Sequence, residues 1–407
     1  MKESQIRRQH LLIISQYFYP EEFRINDICC EWVKRGYEIT VLTGIPNYPA
    51  GKFYNGYGIL KKRIEIWNGI RIIRIPILPR GKSSIGLIMN YLSFVVSGFI
   101  WNMFTRVKAD KVFIFEVSPM TQALNGIWYA KKRKIPCYLY VQDLWPESIE
   151  SVTGIHSKLI IKPIEKMVCY IYRNCSLIFA TSKSFANEIK KYITEDSDKV
   201  LYWPQYAEEF YKPEKLTSVK SNAEEFKIVF TGNIGIAQGL EVLPTVARVL
   251  KEVDCHVKFL LVGEGRNKKQ LKRKIEEEQV AEYFEFRDRV PPEQVPQVLA
   301  EGELAFVSFM NSDLFSNTIP AKLQTYMACG MPILAVASGE TERIVYDSQC
   351  GINCGIGNIG EIAEAIITLK KENRKVLEQM GKNGRRYCER HFQKKMLMDE
   401  MDLYLNS

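Results

Sequence analysis

The stretch Asn311–Ile344, NSDLFSNTIPAKLQTYMACGMPILAVASGETERI, decides how this chain folds. It follows an apolar run, Leu304 to Phe309, that reads as a buried strand. Pro320 fits the first turn of a helix, where its missing N–H is no loss. Gly330 and Pro332 end that helix. Ile333 to Ala337 is a second apolar strand, and Ser338 to Glu342 starts a second helix. The result is a βαβα unit whose two loops open on one sheet edge. Free backbone N–H groups and the helix dipole make such an edge a site for an anion. Lys322 adds a positive charge in the first helical turn. This reading puts a nucleotide diphosphate here; the plainer alternative is an α/β repeat that binds nothing.

The chain has 407 residues, which leads us to expect two domains. Its charge is lopsided. Residues 1–200 carry 29 Lys and Arg against 17 Asp and Glu, a net +12, and the remainder carries a net −3. A basic half suits an anionic surface, either a nucleic acid or a membrane. Ten cysteines occur without a CxxC pair, and there are only four histidines. A metal centre therefore has little support, and buried, reduced thiols of a cytosolic protein are expected. Leu11–Ile14 is read as a first strand and not as a cleavable signal.

Strands alternate with helices along the first half. Strands are expected at Leu11–Ser15, Glu38–Thr43, Val112–Phe115, Tyr138–Val141, Leu177–Ala180 and Val200–Trp203, with a helix from Ile25 to Arg35. This order predicts a doubly wound parallel sheet. Gly44–Gly58 is a long loop of the kind that is often functional. Ile70–Ile75 alternates Ile with Arg and reads as an edge strand with a basic face. Ile85–Thr105 is long and apolar enough to cross a bilayer, but Asn90, Ser93, Ser97 and Asn102 interrupt it. It reads first as a core or surface helix, second as an interfacial helix touching a membrane, and last as a span. Lys61, Lys62, Arg63, Arg71, Arg74, Arg80 and Lys82 precede it.

Residues 205–226 are polar and aperiodic and read as a linker. A second α/β domain starts with the strand Lys227–Thr231 and the glycine-rich turn Gly232–Gly239. Glycine lets backbone approach a ligand closely. The spacing departs from GxGxxG, which disfavours a nicotinamide dinucleotide. Val257–Val262 and Phe284–Phe286 follow as strands, Lys268–Glu278 as a helix, and 387–405 as one last helix. In the first half, Asp143 and Glu147 follow a strand end, with Trp145 and Pro146 shaping a pocket between them. Asp143 serves either as a catalytic or sugar-hydroxyl carboxylate or as a helix cap. Asp196-Ser197-Asp198 spells DxD in a polar loop and reads as solvated; Lys131–Lys134 reads as a helix C-cap.

Six motifs together resemble one family: SQYFYPEEFRIND (Ser15–Asp27), VLTGIPNYPAGKF (Val41–Phe53), QDLWPES (Gln142–Ser148), TGNIGIAQGLE (Thr231–Glu241), LVGEG (Leu261–Gly265) and IPAKLQTYMACGMPI (Ile319–Ile333). They resemble the retaining GT-B glycosyltransferases of the family-four class. The branch is the one that contains bacterial L-fucosamine transferases of O-antigen and capsule synthesis. The resemblance covers nearly the whole chain. It implies two Rossmann-like domains facing across a cleft: 1–204 for the acceptor, 205–226 as linker, 227–386 for the nucleotide sugar, and 387–407 as a helix crossing back. The implied donor is a UDP-sugar carrying an N-acetylated amino or deoxyamino sugar. The implied acceptor is a sugar on undecaprenyl diphosphate, reached at the inner face of the cytoplasmic membrane by peripheral contact through the basic first domain. Nucleic acid is not an implied partner.

The resemblance assigns Gly232, Asn233, Gly235, Gln238, Arg266, Pro320, Lys322, Thr325, Gly339 and Glu342 to the donor. It assigns Glu22, Arg24, Asn26, Asp143 and Glu147 to the acceptor. Asp143 and Lys322 are the candidate catalytic residues. Two departures stand out. Asn317 and Thr325 occupy the positions where typical members carry glutamates eight apart, and Asn233 and Gln238 replace the Arg and Lys of the glycine loop. Charge neutralisation then falls to Lys322, the helix start behind Pro320, and Arg266, with Glu342 for ribose hydroxyls. The leaving diphosphate itself would take the acceptor proton, so no metal or other cofactor is expected. Two rivals share the fold: a UDP-sugar epimerase, which needs carboxylates and histidines in the cleft, and a non-catalytic sugar-binding subunit, suggested by the missing glutamates.

Overall fold

The computed structural model of the chain describes residues 8–81, 83–149, 157–214 and 226–407. Residues 215–225 of the expected linker, and Lys82 of the basic run, lie outside the described residues. The chain divides into two compact α/β units. One is the amino-terminal part up to Trp203 without Ser182–Ser184; the other is Ser182–Ser184 with Pro204–Ser407.

The first unit holds β1 (His10–Ile14), α1 (Arg24–Lys34), β2 (Glu38–Thr43), β3 (Ile64–Trp67), β4 (Ile70–Arg74), α2 (Ser84–Phe104), β5 (Lys111–Glu116), α3 (Ala123–Arg133), β6 (Cys137–Val141), α4 (Lys158–Arg173), β7 (Leu177–Ala180), α5 (Lys183–Tyr192) from Phe185 onward, and β8 (Val200–Tyr202). Its eight-stranded sheet has the order β3-β4-β2-β1-β5-β6-β7-β8. All neighbours pair in parallel except β3 with β4. The direction of winding reverses between β1 and β5, so their carboxyl ends form the edge where such sheets bind ligands. Central strands such as β5 and β6 are buried along their whole length, which is why they read as continuous apolar runs.

Ile70–Ile75 is not an edge strand. β4 lies between β2 and β3, and β3 is the edge. The expectation missed a hairpin: Asn68 and Gly69 both take positive φ, 48° and 78°, forming a two-residue turn that pairs Trp67 with Ile70. Nor is the basic face wholly outward. Arg71 is exposed, but Arg74 is fully buried, 2.8 Å from Glu65 of β3, and it donates to the Tyr19 carbonyl at 2.8 Å. The hairpin partner supplies the carboxylate that makes burial of this guanidinium tolerable.

The second unit holds β9 (Phe226–Thr231), α6 (Val242–Glu252), β10 (Val257–Val262), α7 (Lys268–Glu277), β11 (Phe284–Arg287), α8 (Val295–Leu299), β12 (Leu304–Ser308), α9 (Asp313–Ser316), α10 (Ala321–Ala328), β13 (Ile333–Val336), α11 (Glu340–Ser348), β14 (Gly351–Cys354), α12 (Ile359–Lys371), α13 (Arg374–His391) and α14 (Lys394–Asn406). Its six strands are all parallel, in the order β11-β10-β9-β12-β13-β14. Side chains alternate between two buried faces. Ile228, Phe230, Phe259 and Leu261 pack on one side, and Val229, Leu260 and Val262 on the other. A sheet covered on both faces needs an apolar residue at nearly every position, and these strands have one.

The expected βαβα unit is present as β12–α9–α10–β13–α11, with the short α9 inserted in its first loop. Pro320 is the cap residue of α10 and not its first helical residue. The helix ends in a Schellman arrangement: Met331 N–H bonds the Tyr326 carbonyl and Gly330 N–H bonds that of Met327, each at 3.0 Å. The single last helix expected at 387–405 is in fact two. Phe392 leaves helical geometry with φ −130° and is buried, and Gln393 bridges to Ala207 in strand-like fashion. The apolar periodicity of Phe392, Met398, Met401 and Leu405 continues across a real break because these residues pack inward on both sides of it, so the pattern alone did not reveal it.

Candidate functional site

In the second unit the winding reverses between β9 and β12, so their carboxyl ends open the crevice. Three loops meet there. Gly232 N–H bonds the Val262 carbonyl at 2.9 Å, Ile234 N–H bonds the Glu264 carbonyl at 2.8 Å, and Met310 N–H bonds the Ala237 carbonyl at 3.0 Å. These bonds join the turns after β9, β10 and β12 through backbone alone. Gly232 and Gly263 permit the closeness. Both have positive φ, and a Cβ on Gly263 would fall 1.8 Å from the Gly232 oxygen.

Tyr326 of α10 anchors the end of β9. Its hydroxyl accepts from Thr231 N–H at 2.8 Å and donates to the Thr231 carbonyl at 3.2 Å. Burial pushes its pKa up to about 12, so it stays a neutral donor. One turn earlier, Lys322 reaches back over the same place. Its Nζ lies 4.8 Å from the centre of the Phe230 ring. Its Cε lies only 2.9 Å from where a Cβ on Gly232 would sit. No hydrogen bond or ion pair of this ammonium occurs among the described residues, and burial lowers its pKa from 10.5 to about 8. Lys322 and the Gly232 turn, far apart in sequence, thus share one spot. The amino termini of α10 and α11 carry no side-chain cap. A desolvated cation, a glycine turn and uncapped helix starts are the parts of an anion site.

The other donor-assigned residues fall less uniformly. Asn233 and Arg266 are exposed on the turns after β9 and β10. Gln238 faces its own loop: its Oε1 accepts from Gly235 N–H at 3.1 Å, bracing the turn. Thr325 is half-buried, one turn beyond Lys322. Gly339 caps α11, where its carbonyl accepts from Arg343 N–H at 2.9 Å. Glu342 is exposed, while Glu340 is buried and ion-paired with Arg343. The sequence reading passed over Glu340; its place as the first residue of the helix was the available signal.

In the first unit, Asp143 follows β6 and accepts from Ser118 N–H at 2.7 Å, tying the ends of β6 and β5 together. Trp145 Nε1 donates to the Ser118 hydroxyl at 3.1 Å. Glu147 accepts from the Tyr192 hydroxyl at 2.9 Å. Beside Asp143 lies Glu116, the last residue of β5, which sequence reasoning did not single out. It is fully buried, and burial first, then the neighbouring Asp143 charge, hold its carboxyl well above the usual range. A carboxylate closing a fully apolar strand was the signal that could have found it.

Of the Glu22, Arg24 and Asn26 set, Glu22 is exposed and Arg24 is the first residue of α1. Asn26 donates to the Glu21 carbonyl at 2.7 Å. The buried acid of this loop is Glu21, whose Oε1 accepts from Asn47 and Tyr48 N–H at 2.8 and 2.7 Å. Burial raises it to about 7. Glu21 therefore pins the long Gly44–Gly58 loop to β1's end. Asp196 of the DxD pairs with Lys199 at 3.5 Å. Among the described residues, no group of three or more His, Cys, Asp or Glu is arranged to hold a metal.

Residues 212–387 match the family described as glycosyl transferases group 1. No curated protein sequence matches the chain. Solved structures share its architecture at low identity. A sucrose-phosphate synthase from Thermosynechococcus elongatus superposes with a TM-score of 0.76 at 14% identity, covering 98% of each chain. HepE of Anabaena, in complex with UDP and glucose, gives 0.68 at 15%, covering 98% of this chain and all of that one. WaaG, a glycosyltransferase involved in lipopolysaccharide biosynthesis, gives 0.65 at 12%, covering 96% and 98%. At such identities the likeness establishes the two-unit GT-B architecture.

Proposed function

We propose that this chain, whose residues 212–387 match the glycosyl transferases group 1 family, is a nucleotide-sugar-dependent glycosyltransferase that moves a sugar from a UDP-sugar, with retention, onto a lipid-linked acceptor of bacterial surface polysaccharide. The observation that carries the donor half is the Lys322 ammonium lying against Gly232 at the β9/β12 crevice, with no acidic partner among the described residues. A diphosphate supplies the charge that this cation lacks, and a charge-assisted contact in a desolvated site is strong. HepE, a structural neighbour, was solved with UDP and glucose, which supports UDP as the nucleotide. The resemblance to fucosamine transferases favours an N-acetylated deoxyamino sugar.

In this reading the acceptor hydroxyl bonds to the anomeric carbon as the bond to the UDP oxygen breaks. Its proton passes to the departing diphosphate on the same face. Lys322 and the start of α10 stabilise the charge that develops there, which is where preorganised dipoles contribute most. No metal enters the step. Asp143 orients the acceptor from the first unit's ligand edge. The enzyme works at the inner face of the cytoplasmic membrane, where a lipid-linked acceptor resides.

The test incubates the protein with radiolabelled UDP-sugars and a membrane lipid extract, with and without EDTA. Label entering the lipid in both, with the anomeric configuration kept, supports the reading. A labelled epimer without acceptor, or tight UDP binding without turnover on any sugar, overturns it in favour of an epimerase or a binding subunit.

A further inference from the structure

Helix α2 is amphipathic the wrong way round for a soluble protein. Its polar residues face inward and its large apolar residues face out. Asn90 and Asn102 are buried, as are Phe94 and Gly98. Each inward group is fastened to the first unit. Gln16 Nε2 donates to Asn90 Oδ1 at 2.7 Å, and Asn90 donates onward to the Leu78 carbonyl at 2.5 Å. Asn102 donates to the Asn125 carbonyl at 2.9 Å, and Asn125 donates to the Phe94 carbonyl at 3.0 Å. At Gly98 a Cβ would run into the Asn125 side chain, so the helix is seated directly on α3.

The outer stripe repeats at helical spacing through Ile85, Ile88, Leu92, Val96, Ile100 and Met103, every one of them at least 50% exposed. The helix contains no charged residue and is long and apolar enough to cross a membrane. Its hydrogen bonds to the unit's own backbone fix it lengthwise along the surface instead. At 21 residues it presents a continuous apolar strip of about 30 Å. Such a strip on a water-facing surface marks an interaction site.

The charges around the strip identify the partner. Arg80 sits at its amino end, where the Arg80 carbonyl approaches Gly86. Lys132 donates to the Asn102 and Met103 carbonyls and Arg133 to that of Thr105, at the carboxyl end. Capping of α2 accounts for Lys132 and Arg133, but not for exposed Arg106, which follows the last turn of the helix. Arg63 lines a groove of about 440 Å³ along the last turns of the helix, together with Ile75, Pro76, Ile100, Trp101 and Phe104. Two Arg63 nitrogens already donate to the Arg74 and Ile59 carbonyls, which holds the guanidinium at the rim. A second copy of the chain docked strip to strip would bring two such basic rims together, which costs free energy. An anionic bilayer matches both features at once: acyl chains for the strip and headgroup phosphates for the rim.

We propose that the outer face of α2 lies flat in the interface of an anionic lipid bilayer, and that the groove beside Arg63 accepts an apolar chain carrying a phosphate. This deepens the lipid-linked-acceptor reading by naming the surface that meets the lipid, and it rests on that reading only for the identity of the chain in the groove.

The test is co-sedimentation of the full chain with vesicles of phosphatidylcholine alone and of phosphatidylcholine mixed with phosphatidylglycerol, at low and high salt. Binding to the mixed vesicles, weakened by salt, is expected. The double variant Leu92→Glu with Val96→Glu changes two exposed side chains and should keep the wild-type melting curve while losing vesicle binding by about thirtyfold or more. Arg106→Gln should lose several-fold on anionic vesicles only. UDP binding in all variants should equal wild type, so a failure of the donor reading registers separately. Wild-type protein that stays in the supernatant, a double variant that still sediments, or an α2-dependent dimer that ignores vesicles would each overturn the proposal.

Discussion

Lys322→Met is the substitution that tests the donor site most directly. In the unliganded protein the ammonium rests against the Phe230 ring and Gly232, and burial lowers its pKa from 10.5 to about 8. A displacement of that size means that holding the charged form costs about 3 kcal/mol relative to water. A base depressed on folding penalises the folded state fully below its folded pKa, and the penalty fades as pH rises towards the unfolded value. Wild-type stability should therefore climb between about pH 8 and 10.5. Methionine fills the same space without charge, so the variant should be more stable than wild type at neutral pH, by up to about 3 kcal/mol, and should lack that climb.

Donor affinity should move the opposite way. Loss of a charge-assisted contact to diphosphate removes roughly 1.5–3 kcal/mol, a weakening of about 10- to 150-fold. In wild type, UDP affinity should fall as pH passes about 8. Calorimetric titration with UDP from pH 6.5 to 9.5, beside denaturant melts of both proteins, reads all of this. A variant that binds UDP like wild type, or a wild-type affinity that is flat across pH 8, would refute the assignment.

Three further outcomes are expected. Gly232→Ala places a methyl 2.9 Å from Lys322 Cε at a residue with φ +128°; UDP binding should drop at least about tenfold, with a stability loss of about 1–3 kcal/mol, read by titration and by melting. Tyr326→Phe leaves Thr231 N–H without its buried acceptor and should destabilise by about 1–3 kcal/mol in denaturant melts, loosening the end of β9. Glu21 has its carboxyl raised from 4.5 to about 7 by burial, so wild type should lose up to about 3 kcal/mol as pH rises through that window. Glu21→Gln keeps an oxygen for Asn47 and Tyr48 N–H, and should abolish that slope in melts taken from pH 4.5 to 7.5.

Most strands were legible because a parallel sheet covered on both faces demands uninterrupted apolar residues, and β2, β7 and β10 have the bounds read from sequence. The misses share a cause. β3 was overlooked because it is only four residues long and turns its isoleucines, Ile64 and Ile66, to solvent, although Asn68-Gly69 was a usable turn signal. Residues 387–405 read as one helix because helical spacing survives a break whose reason, the Gln393–Ala207 bridge, involves residues 186 positions apart. Among the acids, sequence favoured Glu22 and Glu342, while the buried carboxylates are Glu21, Glu116 and Glu340. One residue of register turns a side chain from solvent to interior, and sequence position does not specify that register.

The sequence by itself determined two α/β units, the glycine-rich strand-to-helix turn in the second, and Lys322 as the cation in the first turn of its helix. Local propensity, apolar period and glycine placement suffice for such statements, because each concerns residues within one or two turns of one another. Tertiary structure decided what lies across from what. It set Lys322 over Gly232, buried Arg74 against Glu65, and turned the asparagines of α2 inward and its aliphatics outward. Those outcomes depend on partners far away in the chain, and only the packed sheet and helices bring the partners together.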